Sequence, residues 1–179
     1  MEKRPVTALG RLTVEEFRAV EKVPLVLVLD NLRSALNVGS VFRTADAFAI
    51  ERLVLCGITA CPPHREINKT ALGSTDSVAW TYNPDTIQAL QELEAAGYQL
   101  WAVEQVHPSL PLQELTVERD MRYAFVLGNE VSGVSDAALR QCTGALEIPQ
   151  FGTKHSLNVA VAAGIVVWEF IRRYRLGKL

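Results

Sequence analysis

The sequence has no long apolar run. Its longest, Val159 to Trp168, is ten residues, against the roughly 20 that cross a bilayer, and the N-terminus opens on Glu2, Lys3, Arg4 and Pro5. Neither a membrane span nor an export signal is expected. Cysteine is scarce: Cys56, Cys61 and Cys142 are an odd set in a chain of 179 residues, which needs no disulfide staples, and this points to a reducing compartment, the cytoplasm. Cys56, Cys61 and His64 offer three ligand types, but no fourth lies near them in sequence and tetrahedral zinc needs a full set, so no metal is expected. Basic residues are not in excess. Eighteen Lys and Arg stand against 20 Asp and Glu, a net charge of −2, which excludes a protein that coats nucleic acid through bulk positive charge. The phosphate-binding glycine patterns are missing too: there is no G-x-x-x-x-G-K-[ST], and no G-x-G-x-x-G follows an apolar run.

What is present is an ordinary globular mixture, 49% apolar and 21% charged, and at about 150 residues per domain the length suits one domain. The charge is unevenly spread. Residues 83 to 136 hold nine acids against Arg119 and Arg122, leaving 16 bases and 11 acids elsewhere, so one side of the molecule is expected to be basic. The tail residues Arg172, Arg173, Arg175 and Lys178 suit either a nucleic-acid contact or a solvated helix end that complements the helix dipole.

Leu25 to Leu29 reads LVLVL, the continuous apolar run of a strand buried on both faces. Shorter runs follow at Leu53 to Cys56, Gln99 to Val103, Tyr123 to Leu127 and Leu146 to Ile148. Between them the patterns predict helices over Asn37 to Phe48, over Pro84 to Ala96 with Asn83 as cap and Gly97 as terminator, and from a Ser135 cap to Cys142. A last helix is expected from about Leu157 to Arg175. Strands alternating with helices predict an α/β domain around a mostly parallel sheet, with ligands at the carboxyl ends of the strands.

Three loops there carry polar residues. The first, Asp30 to Thr44, holds Arg33, Asn37, Gly39 and Arg43; Asn37 as a cap and Arg43 as an exposed helix residue is its plainer reading. The second, Leu127 to Ser135, presents main-chain groups and one carboxylate, Glu130, which suits an uncharged or cationic ligand better than a phosphate. The third, Ile148 to Ile165, places Asn158 where an apolar helix begins. Its amide is costly there unless paired, so it is a clasp for a loop or a ligand contact, with Ser156 available as the N-cap.

The patterns N-x-G-x-x-x-R-T at Asn37 to Thr44, L-G-N-E-x-x-G at Leu127 to Gly133 and I-P-x-x-G-x-x-x-S-L-N-V at Ile148 to Val159 resemble, in order, the three motifs of the SpoU/TrmH family of RNA ribose 2′-O-methyltransferases in the SPOUT superfamily. Lys69-Thr70-Ala71-Leu72-Gly73 resembles a further K-x-x-x-G element, so the likeness runs from about Leu25 to Arg173. It implies a C-terminal trefoil knot, which general connectivity rules would have excluded. It also implies S-adenosylmethionine as cofactor, a structured RNA (tRNA or rRNA) as substrate and a homodimer with active sites near the subunit interface. Residues 1–24 would be a short N-terminal extension and 25–179 the methyltransferase domain.

Carried over residue by residue, the cofactor wall would be Leu127, Gly128, Ile148, Pro149, Leu157 and Asn158. Arg43 would hold the phosphate beside the target ribose, because a guanidinium stays protonated and is a poor base. Asn37, Glu130, Ser156 and Asn158 would orient Arg43, the ribose and the loops. RNA would meet Arg33, Arg43, Arg65, Lys69, Lys154 and the tail. Gln150 stands where the family commonly has methionine. Two other classes fit parts of the sequence: an RNA-binding member that transfers no methyl group, and an unrelated doubly wound nucleotide-cofactor enzyme.

Overall fold

The LVLVL run is the centre of the sheet. In the computed structural model, which describes residues 10–176 together with Met1 and Lys3, it lies in β1 (Val23–Asp30). Glu2, Arg4, Pro5 and Lys178 are outside the described residues. Leu25, Leu27 and Leu29 point into one core and Val26 and Val28 into another, all with no accessible surface. A strand covered on both faces needs apolar residues at every position, which is what the run supplies.

Around β1 stand β2 (Ile50–Cys56), β3 (Trp80–Asn83), β4 (Tyr98–Val103), β5 (Leu110–Pro111), β6 (Arg122–Leu127) and β7 (Gly144–Glu147). The sheet order is β3-β2-β1-β6-β4-β7-β5, and every pairing is parallel. Helices α2 (Ala35–Ala47) and α7 (Val159–Ile171) cover one face through Val38, Val41, Phe42, Val166, Val167 and Phe170. Helices α5 (Thr86–Ala95) and α6 (Asp136–Gln141) cover the other through Ala89, Leu90, Leu93 and Ala138. This is the expected mostly parallel α/β architecture. Among the described residues no helix is long and apolar enough to cross a membrane.

Several elements differ from the sequence expectations. Ser34, not Asn37, caps α2, and Asp85, not Asn83, caps α5, its carboxylate accepting from Ile87 N and Gln88 N. Asn158 rather than Ser156 caps α7, which ends at Ile171 and continues as a wider π-turn over Arg172–Leu176. The short α1 (Val14–Ala19), α3 (Arg65–Ala71) and α4 (Ser74–Ser77) and the edge strands β3 and β5 carry no strong periodic signal. Phe17 of α1 is buried in the first core, and the Arg18 guanidinium donates to the Asp76 carbonyl of α4.

The chain leaves β1 toward β2 on one side, while β6 lies on the other. The carboxyl ends of β1, β6, β4 and β7 therefore open at a reversal of strand order, where loops diverge and a ligand can enter. Helix α2 meets α3 so closely at Gly39 that a Cβ there would collide with the Ile67 carbonyl and the Thr70 hydroxyl. Backbone cannot yield as a flexible side chain can. Gly39→Ala is expected to lower stability by about 1–3 kcal/mol, measured by urea unfolding, with an unchanged m-value.

Candidate active site

The first loop turns at Asn31, whose φ of 56° is left-handed, a conformation asparagine tolerates better than most residues. Its side chain fastens the turn. Nδ2 donates to Asp30 (2.8 Å), Oδ1 accepts from Ile58 N (3.1 Å), and the Asn31 carbonyl accepts from Asn129 Nδ2 (2.7 Å). Asp30 is 1% exposed, yet it also accepts from the Thr86 hydroxyl (2.6 Å) and Ser135 N (3.3 Å), so its buried carboxylate is satisfied. Thr59 donates to the Leu29 carbonyl and accepts from Leu32 N, each at 3.0 Å. The floor under the first two loops is thus a closed hydrogen-bond network.

Above this floor the three loops meet. Asn158 accepts from Ala160 N (2.9 Å) and Val161 N (3.4 Å) as the cap of α7, and its Nδ2 donates to Asn37 Oδ1 (3.1 Å). Asn37 Nδ2 donates in turn to Glu130 (2.9 Å), which also accepts from Arg33 N (2.8 Å) and Ser34 N (3.0 Å). The amides of Asn37 and Asn158 are thereby oriented end to end. Partial burial pushes the Glu130 carboxyl up, but the donors from Arg33, Asn37 and Ser34 together outweigh it and hold it below the usual carboxylate range.

Beside this relay is a cleft of about 620 Å³, a size suited to a cofactor. Leu127, Gly128, Glu130, Ile148, Gln150, Ser156, Leu157 and Asn158 line it. Pro149 does not. Two residues that sequence reasoning missed also line it. Glu104, just after β4, accepts from Val134 N (3.0 Å) and Gln105 N (2.9 Å), and Gln105 Nε2 donates to the His155 carbonyl (2.7 Å). This pair ties the second loop to the third across the end of β4. The nearest signal was the polar Glu104-Gln105 step closing an apolar strand.

A sequence profile of the SpoU rRNA Methylase family matches residues 24–168. The chain belongs to that family. Among SpoU relatives, the 23S rRNA (guanosine-2′-O-)-methyltransferase RlmB of Nitrosomonas europaea is 32% identical over 94% of this chain and 65% of its own length. The RlmB of Neisseria meningitidis is 29% identical, over 87% and 60%. The chain therefore spans less than two thirds of these curated relatives. Two solved structures superpose with TM-scores of 0.79. One, an AdoMet-bound rRNA methyltransferase from Sinorhizobium meliloti, is 27% identical over 87% of this chain and 59% of its own. The other, the A. aeolicus TrmH/SpoU tRNA modifying enzyme, is 25% identical over 92% and 84%.

In this SpoU chain Arg43 is not in the 620 Å³ cleft. Exposed on the third turn of α2, it lines a shallow cleft with Lys69 and Thr70, and a larger one of about 1120 Å³ with Arg11 and Arg175. Lys69 is paired with Glu66 (2.6 Å), while Arg33, Arg65 and Lys154 are exposed on separate elements. Of the tail, Glu169 holds Arg172 (2.8 Å) and Arg173 (2.7 Å). Cys56 is buried, and His64 caps α3, its Nδ1 accepting from Glu66 N (3.2 Å).

A glutamate held below its unfolded value stabilises the fold fully above that value, about 4.3, and the contribution is lost as pH falls through the folded value. Thermal melting in acid should therefore show a shallower loss of stability in Glu130→Gln than in the wild type, the two curves converging at the lowest pH.

Proposed function

We propose that this protein transfers a methyl group from S-adenosylmethionine to a ribose 2′-hydroxyl of a structured RNA, transfer or ribosomal, acting in the cytoplasm as a homodimer. The observation that carries this reading is the relay Asn158–Asn37–Glu130, which draws all three motif loops together at the mouth of one cofactor-sized cleft. The names of the relatives, RNA 2′-O-methyltransferases among them, point the same way.

The cleft suits the cofactor chemically. It offers main-chain groups of the second and third loops together with carboxylates, and among the described residues no lysine, arginine or histidine side chain lines it. Leu127, Gly128, Ile148, Leu157 and Asn158 would hold the adenosyl group. Bound there, S-adenosylmethionine supplies a sulfonium methyl that passes to the 2′-oxygen as the hydroxyl proton leaves, and a neutral thioether remains. The chain's own part is positioning and charge. The Arg43 guanidinium grips the phosphate next to the ribose through two parallel hydrogen bonds and stabilises the developing alkoxide, while the proton goes to a phosphate oxygen or water. Asn37, oriented by Glu130 and Asn158, and Ser156 at the cleft wall direct the hydroxyl.

Arg43 lies six residues beyond Asn37 on α2, about 9 Å along the axis and about 120° around it, so we read it as serving the cleft of the second protomer. An exposed apolar stripe on α7 supports pairing: Val161, Ile165 and Trp168 are 52%, 37% and 48% exposed at helical spacing, with the Trp168 ring resting on Phe48, and Leu36 and Leu157 are further exposed apolar residues at the starts of α2 and α7. The trefoil threading belongs to the same reading. Its support is that 148–158 runs beside the second loop to line one cleft before α7 returns against α2. The division at residue 24 is part of the proposal as well.

Arg43→Lys keeps the charge and loses the planar fork. Single-turnover methyl transfer to RNA at saturating cofactor is expected to fall at least about a hundredfold, about 3 kcal/mol, with cofactor affinity unchanged. Wild-type turnover in the variant would refute the phosphate role, and no transfer by the wild type to any tRNA or rRNA would leave a non-catalytic RNA-binding protein.

The tail gives a second test. Arg172 is held by Glu169, whereas Arg175 shares a cleft with Arg43. Arg175→Ala should flatten the dependence of log K for RNA on log salt by about 0.7–0.9. Arg172→Ala should leave the slope as it is.

A further inference from the structure

Among the described residues the cofactor cleft is lined by three carboxylates, Glu104, Glu130 and Asp136, and by no basic side chain. Two of them are largely offset. Glu130 carries three N–H donors at the start of α2, and Asp136 lies in the first turn of α6, against the positive end of that helix. Glu104 differs. It projects from the C-terminal end of β4 between the second and third loops, and its main chain is fixed by Glu104 N donating to the Leu146 carbonyl (3.1 Å). Its Oε2 accepts from Val134 N and its Oε1 from Gln105 N, which leaves each oxygen further capacity to accept. The seat is fitted to it: Gly133 has φ 69°, and a Cβ there would collide with Oε2.

The Glu104 carboxylate lines this cleft, in surroundings less polar than water, so a cation bound beside it is attracted more strongly than it would be in solution. Resting on the cofactor reading above, we infer that Glu104 makes the cleft charge-selective, retaining the sulfonium form of the cofactor over the neutral thioether product. The α-ammonium and carboxylate are common to both forms, so the sulfonium is the only charge that differs. Its loss on methyl transfer removes the attraction, and the product leaves more readily than the substrate cofactor.

The test is calorimetric titration of the intact protein at 50 mM salt with S-adenosylmethionine, S-adenosylhomocysteine and sinefungin, whose amine replaces the sulfonium by another cation. The first and third should bind at least about fivefold tighter than the second, with the ratio shrinking as salt is raised to 500 mM. Glu104→Gln, which keeps an oxygen for Val134 N, should cut the ratio at least about threefold while changing S-adenosylhomocysteine affinity less than twofold. Equal or tighter binding of S-adenosylhomocysteine by the wild type, or a ratio insensitive to salt, overturns the inference, and both are read without any variant. An unchanged ratio in folded Glu104→Gln overturns it too. If none of the three ligands binds, the cofactor reading itself fails.

Discussion

The site depends on one amide. Asn158 uses its oxygen to cap α7 and its nitrogen to reach Asn37, so the start of the last helix is locked to the start of the first long one. An asparagine serves both purposes at once because it carries donors and an acceptor on one rigid plane. Aspartate caps a helix equally well but has no hydrogen to donate, and serine caps but is too short to carry both functions. Through Asn37 the same constraint passes to Glu130 and the second loop. Three segments far apart in sequence thereby share one orientation, and the cleft they border is shaped before any ligand arrives, which lowers the ordering cost of binding.

Glu130 shows how such a device uses charge without spending it on the ligand. Three donors converge on it, so its negative charge is consumed in holding Asn37 and the turn at Arg33 and Ser34. Asp30 does the corresponding work beneath, buried but satisfied by Thr86, Asn31 and Ser135. The site therefore has a rigid polar base. Among its lining residues Val131 is 78% exposed, so the polar base gives way to an apolar side chain open to solvent.

Much of this was legible in the sequence. LVLVL could only be a doubly covered strand, and the alternation of its neighbours with helical patterns led to a parallel sheet. Of the relay, Asn158 was identifiable because an amide at the head of an apolar helix needs a partner, whereas Asn37 and Glu130 were identifiable only through the resemblance to the family motifs. The helix caps were misplaced for a physical reason: each boundary offers two competent caps, Ser34 or Asn37, Asn83 or Asp85, Ser156 or Asn158. Which one is used depends on what else claims the other, and Asn37 is claimed by Glu130 and Asn158 from distant parts of the chain. Glu104 was invisible because its partner, the backbone at Val134, lies 30 residues away. The position of Arg43 away from the cleft follows from helical geometry, which a motif written as a line of letters conceals.

The sheet order carries a consequence for how the protein is made. The first strand has its two neighbours at very different distances along the chain: β2 follows directly, whereas β6 pairs Leu25 with Tyr123. The core above it also waits for Val166, Val167 and Phe170 of α7. Until β6 and α7 have been made, the most apolar strand has one open edge and one face that α2 covers only in part. Closure by such distant contacts is intrinsically slow and leaves that edge open to wrong pairing. The segment that lines the cleft runs directly into the helix that shelters the first strand, so the cleft and the cover over that strand are completed together.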